Sequence, residues 1–308
     1  MLAKETRSPT RCPALAVVAA GLLLTLASVT AEPDADAAAT RDWQVRRNAS
    51  LRDVDGWLAL VGLFRLRDGE SQIGSSPGSD IQLAPTAPAF VGTLTVTAQG
   101  VHFQTFPGTD VVVDGKPITH LDLRSDESTD GPTRLQHGSL SWWLIERVGC
   151  RWLRLSDTEN PALENPEPIE YFPIHSDWRV PARLHRTPDA PELAVPTVLG
   201  LPSLQTAAGV LQFERSGQKF SLQALEGSNG SLFVIFADAT SGTTTYGAGR
   251  FLWVDAPDSA GHTILDFNRA YNPPCAFTAF ATCPLPPPGN RLDLAVMAGE
   301  KRWTGTVH

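Results

Sequence analysis

The chain has 308 residues, 42 % of them apolar, with 25 basic and 33 acidic side chains and a formal charge of −8. That is enough apolar material to bury a core over one large or two ordinary domains. It speaks against a nucleic-acid partner, whose electrostatic footprint is a basic stripe that this sequence lacks.

Residues 1–31 read as a secretory signal peptide. The basic head "MLAKETRSPTR" precedes the apolar run "ALAVVAAGLLLTLASV" and the small-residue site "VTA", ahead of the charged "EPDAD". The run is shorter than the roughly twenty apolar residues of a membrane anchor, and no other stretch could span a membrane. Cleavage is therefore expected near Ala31, and the mature protein is expected in the periplasm or secreted. Three of the four cysteines then remain, Cys150, Cys275 and Cys283. In an oxidising compartment an odd number suggests one disulfide and one bystander.

Residues 32–40, "EPDADAAAT", read as a disordered leader, and 41–57 as a helix with Trp43, Arg47, Leu51 and Val54 on one face. The period then changes. "TLTVTA", "VHFQTF", "DVVV", "SLSWWLIER" and "RWLRLSD" are short alternating runs separated by Gly-containing turns, which is the rhythm of a β-sandwich over residues 58–160. The Pro- and Glu-rich "TENPALENPEP" connects it to a second β unit, residues 161–308. There "WRVPARL", "GVLQFE", "KFSLQALE", "SLFVIFA", "TTTYGAGRFLWV", "HTILDFN" and "RLDLAVMA" read as strands.

Side chains two apart on a strand share a face. Arg179 and Arg183 share one, Tyr246 and Arg250 another, and Asp266 and Asn268 a third. If these faces converge, they form a pocket for a small anionic molecule, since arginine forks match carboxylate and phosphate geometry. If they do not, they are ordinary solvated strand faces. The run "YGAG" before Arg250 suggests a place where something approaches the backbone closely.

The stretch "DFNRAYNPPCAFTAFATCPLPPPGNRL", residues 266–292, combines prolines, amides and two cysteines. It reads either as a plug that closes the fold or as a stiff wall holding Arg269, Tyr271, Asn272, Cys275 and Thr278 around a site. Cys275 and Cys283 are candidates for a disulfide; a thiol nucleophile at Cys275 is the alternative and requires a nearby base. No pair of histidines has metal-ligand spacing, and no serine-nucleophile elbow, phosphate loop or zincin motif is present. Neither a metal nor a cofactor is therefore expected.

"DGWLALVGLFRL", "YFPIHSDWRVPAR", "TYGAGRFL", "LDFNRAYNPPCAFTAFATCPLPPPGNRL" and the final "AGEK" closely resemble an uncharacterised bacterial family, domain of unknown function 1684. That likeness implies no catalytic residue. Residues 73–118, with the entry "IGSSPGSDIQL" and the late "VVVDGKPI", resemble a forkhead-associated β-sandwich. Ser75 stands where that family has its phosphothreonine-reading arginine, and "APAFVGT" replaces its Ser…His segment, so the resemblance implies the fold and not phosphothreonine binding. The expected architecture is mainly β: a forkhead-associated-like sandwich packed on a second sheet or barrel-like unit, with a short N-terminal helix. Its function is expected to be binding or hydrolysis of a small anionic molecule in the second unit, or else a structural or interaction role in the envelope. N-terminal sequencing of native periplasmic material should return Glu32 as the first residue; an intact Met1 would contradict export.

Overall fold

Period-two alternation of apolar side chains, broken by glycine turns, drives most of this chain into antiparallel strands. The structure, a computed structural model, describes residues 32–189 and 191–307. The signal peptide expected over residues 1–31 lies outside the described residues. None of the described helices is long and apolar enough to cross a membrane.

Helix α1 spans Glu32–Ala49 and is followed by a 3-10 turn at Ser50–Arg52. The leader expected to be disordered is therefore helical. Its alanines carry almost no side-chain entropy cost in a helix, and its far end is anchored by tertiary contacts. The helix ends before Gly56, and Val54 is exposed rather than on the packed face.

Eleven strands follow: β1 Leu60–Arg65, β2 Gly69–Gly74, β3 Ile81–Gln82, β4 Gly92–Thr97, β5 Gly100–Thr105, β6 Val112–Val113, β7 Lys116–Pro117, β8 His120–Leu123, β9 Leu135–His137, β10 Leu140–Arg147 and β11 Cys150–Asp157. They form two sheets, ordered β1-β11-β10-β9-β6-β7 and β3-β2-β4-β5-β8. Ile73, Leu94 and Phe103 from one sheet meet Trp142, Leu153 and Leu155 from the other in a shared core. This is a sandwich in the physical sense, two apolar faces each removing the other from water.

The second unit holds β12 Arg179–Arg186, β13 Glu192–Val195, β14 Ser203–Arg215, β15 Gln218–Glu226, β16 Leu232–Phe236, β17 Arg250–Val254 and β18 His262–Asp266. The main path is β17-β16-β15-β14-β12-β18, with β13 added to β14. This sheet curls into a half-barrel. Its inner face carries Leu184, Leu211, Leu222, Val234, Leu252 and Leu265.

A half-barrel leaves its inner face open on one side. Here the irregular segment 267–298 fills the opening with Phe267, Ala270, Leu292, Val296 and Ala298. β15 and β16 pair at only two positions, Leu225↔Phe233 and Glu226↔Leu232, before they separate. Asn290 occupies the gap: its amide donates to the carbonyls of Gln223 (2.9 Å) and Ile235 (2.8 Å) and accepts from the Gln223 N–H (2.7 Å). One side chain thus replaces the missing ladder bonds. On the opposite face, Cys283 and Ala281 cover Leu225, Ile235 and Phe251.

Cys275 and Cys283 are joined by a disulfide, with Cα atoms 6.2 Å apart. The thiol-nucleophile alternative at Cys275 is thereby excluded. Replacing both cysteines by serine should lower the free energy of unfolding by about 2.5 kcal/mol, the chain-entropy value for so short a loop. Urea unfolding of the double variant checks this.

Candidate functional site

The polar residues singled out in the sequence separate into three places. Arg250 begins β17 with its side chain completely buried. Its Nη2 donates to Asp238 Oδ2 and to the Val296 carbonyl, both at 2.8 Å, and its Nη1 donates to the Ala298 carbonyl at 2.5 Å. Its guanidinium also lies 5.3 Å from the ring centre of Phe236. Burial lowers its pKa, and Asp238 opposes that shift. The partner expected from the sequence, Asp266, is elsewhere.

The glycine run before Arg250 serves the fold too. A Cβ on Gly249, whose φ is +96°, would come within 2.5 Å of the Phe236 carbonyl and 2.7 Å of Pro286. The close approach that "YGAG" suggested is made by β16 and the proline segment, with no room left for a ligand.

The second place is the seam beneath α1. Glu300 is fully buried. It accepts from Arg47 Nε (2.9 Å) and from the Asn272 backbone N–H (2.7 Å), while Arg47 Nη2 donates to the Asn272 carbonyl (3.0 Å). Arg47 also lies over the rings of Tyr271 and Phe277, and Trp43 meets Tyr171 and Tyr271 edge-on. Burial raises the carboxyl of Glu300 above the usual range, against the pull of Arg47. Burial also pushes the Tyr271 hydroxyl up to about 12. Because the folded pKa of Glu300 is raised, its contribution to stability is fullest below the unfolded value of about 4.3 and falls as pH rises through the folded value.

Asn268, Asp266, Arg269 and Arg179 belong to the same seam. Asp266 caps a 3-10 turn through the Asn268 N–H (3.2 Å), and Asn268 exchanges two hydrogen bonds with the His175 backbone. Arg269 Nε donates to Thr40 Oγ1 of α1. Arg179 pairs with Asp36 of α1 and lies 3.6 Å from Asp266. Tyr246 donates to the Cys275 carbonyl at 3.0 Å, and burial raises its pKa. These groups hold the plug and α1 in place. The expected common pocket of Tyr246, Arg250, Asp266 and Cys275 does not form.

Arg183 is different. Strand register places His262, Arg183, Gln212 and Ser221 directly opposite one another across β18, β12, β14 and β15. Lys219 pairs in the same way with Glu214. This row lines an open groove of about 690 Å³ on the outward face of the curled sheet, with His185 at one end. Arg183 and Lys219 have no hydrogen-bond or ion-pair partner among the described residues. Among the described residues no group of three His, Cys, Asp or Glu side chains could hold a metal. The sequence reading named Arg183 as a ligand candidate but not His185 or Lys219; strand pairing, which spacing along the chain does not reveal, brings them together with His262.

The family model described as protein of unknown function (DUF1684) matches residues 166–301. A similar solved structure is the solution structure of an uncharacterized protein of Haloarcula marismortui, 32 % identical, covering 44 % of this chain and 77 % of that one with a TM-score of 0.37. No curated protein matches the chain.

Arg250→Ala should cost about 3–5 kcal/mol, because it leaves Asp238 buried without its counter-charge. Chemical denaturation checks it; a loss below about 1 kcal/mol would contradict the burial of the pair.

Proposed function

Since this chain belongs to the protein family of unknown function DUF1684, we propose from its own residues that it binds a small molecule with a carboxylate or phosphate group. The groove on the outward face of the second unit is the proposed site. One observation carries the reading: Arg183 and Lys219 stand without partners in a groove of about 690 Å³, the range of small-molecule sites. The arginine fork offers two parallel donors to an oxyanion, and His185 and His262 add ring nitrogens at its margin.

Binding is favoured over hydrolysis. Ser221 and His262 share the row but are separated by three strand spacings of about 4.8 Å each. A serine cannot lose its proton to a histidine at that distance. Cys275 is committed to its disulfide.

A second reading, an envelope interaction protein, draws on Phe90 and Phe106. Their exposed rings lie 5.7 Å apart on the first β unit. Export to the periplasm remains part of the proposal under either reading.

Thermal-shift screening of organic carboxylates and phosphate esters, inorganic phosphate excluded, tests the first reading. A ligand at a hundred times its Kd should stabilise the protein by about 2.7 kcal/mol. Arg183→Ala should leave the unliganded Tm nearly unchanged and abolish that gain. An unchanged response in Arg183→Ala, or no anion that stabilises the parent protein, would contradict the assignment.

A further inference from the structure

A further cation, in the first unit and away from the groove, is largely buried without an ion-pair partner among the described residues. On β11, Leu153 and Leu155 point into the sandwich core, so Trp152, Arg154 and Ser156 point the other way. Arg154 lies opposite Trp143 of β10 and Leu63 of β1. It is 8 % exposed. Its guanidinium is 5.8 Å from the ring centre of Trp57, and its Nε has no acceptor. Among the described residues no carboxylate lies within ion-pair distance of it.

Its like-charged neighbours are provided for. Arg147 is paired with Asp126 at 2.6 Å, and Arg134 has Asp55 at 3.5 Å and the face of Trp143 at 4.1 Å. On the same face as Arg154, the indole N–H of Trp152 is also buried without an acceptor. Burial, then Arg147, lowers the Arg154 pKa to about 10, against the pull of Asp126 beyond ion-pair distance, so the guanidinium is still charged at neutral pH.

Burying part of a guanidinium without a counter-charge at contact distance is costly, and one aromatic face offsets only a fraction of that cost. Two orphaned donors on one face call for a group that only accepts. A carboxylate or phosphate is such a group, and it supplies the missing negative charge as well. The surroundings suit it: Leu60, Trp143 and Ile145 form an apolar patch on which Phe280 of the disulfide-tied segment packs, so the face lies in the seam between the two units. We propose that Arg154, with the Trp152 indole beside it, forms an oxyanion site in that seam, taking the carboxylate or phosphate group of a small molecule.

The test titrates inorganic phosphate into the full mature chain in chloride buffer and follows Tm, for the parent, Arg154→Met, Arg154→Lys and Arg183→Ala. Without phosphate, Arg154→Met should be at least as stable as the parent, because an unpaired buried charge is gone. Millimolar phosphate should raise the Tm of the parent and of Arg183→Ala by several degrees. It should raise Arg154→Lys less, since a point charge replaces a fork, and leave Arg154→Met unmoved. An equal phosphate response in Arg154→Met overturns the proposal, as does no response in the parent. If Arg154→Met does not fold, an Arg154→Lys response equal to the parent's overturns it. A response lost in Arg183→Ala but kept in Arg154→Met would assign phosphate to the groove instead, so the two sites fail separately.

Discussion

The second unit depends on one buried ion pair, Arg250 with Asp238. A charge in an apolar interior is costly unless it is paired and hydrogen-bonded. The partners here come from distant parts of the chain: Asp238 follows β16, Arg250 opens β17, and the carbonyls of Val296 and Ala298 belong to the C-terminal tail. Asp238 Oδ1 also accepts from the backbone N–H groups of Thr240 (2.7 Å) and Val296 (3.4 Å). The pair therefore fixes where the tail crosses the open side of the half-barrel, and with it the positions of Leu292, Val296 and Ala298 in the core. Gly299 completes the fit: a Cβ there would meet the Ala270 carbonyl at 2.3 Å.

From that closure the remaining polar chemistry sorts itself. Most polar atoms beneath the plug have partners: Asn268 and Asn290 bond backbone groups, Asn272 donates to the Lys301 carbonyl, and Glu300 accepts from Arg47 and the Asn272 N–H, while Asn272 Oδ1 and Arg250 Nε have none. Saturated groups have little left to offer a ligand. Arg183, Lys219 and Arg154, which have no ion-pair partner among the described residues, lie outside the closure, on the outward face of the curled sheet and in the seam. α1 extends the closure, since Arg47 and Trp43 dock it on the same tyrosines and carboxylate that terminate the plug.

The β character of both units was legible because alternation survives in most strands, and the disulfide because its two cysteines stand only eight residues apart. Arg250 was misread for a physical reason. Small residues before an arginine look the same along the chain whether they admit a ligand or a neighbouring strand, and only the third dimension puts Phe236 and Pro286 against Gly249. Arg154 was overlooked in "RWLRLSD" although its parity with Trp152, against Leu153 and Leu155, already placed it on the other face. What parity could not reveal was that this face is covered. The helical leader was missed because its stability comes from docking at Thr40, Trp43 and Arg47 more than from propensity.

The most direct measurement is a double-mutant cycle on the closing pair, with unfolding free energies for the parent, Arg250→Met, Asp238→Leu and the double variant. If the buried pair organises the unit, each single change strands a charge and is severely destabilising, and the double variant is more stable than either single one, with a coupling of several kcal/mol. Small, additive losses would contradict the account and return Arg250 to the list of ligand-binding residues.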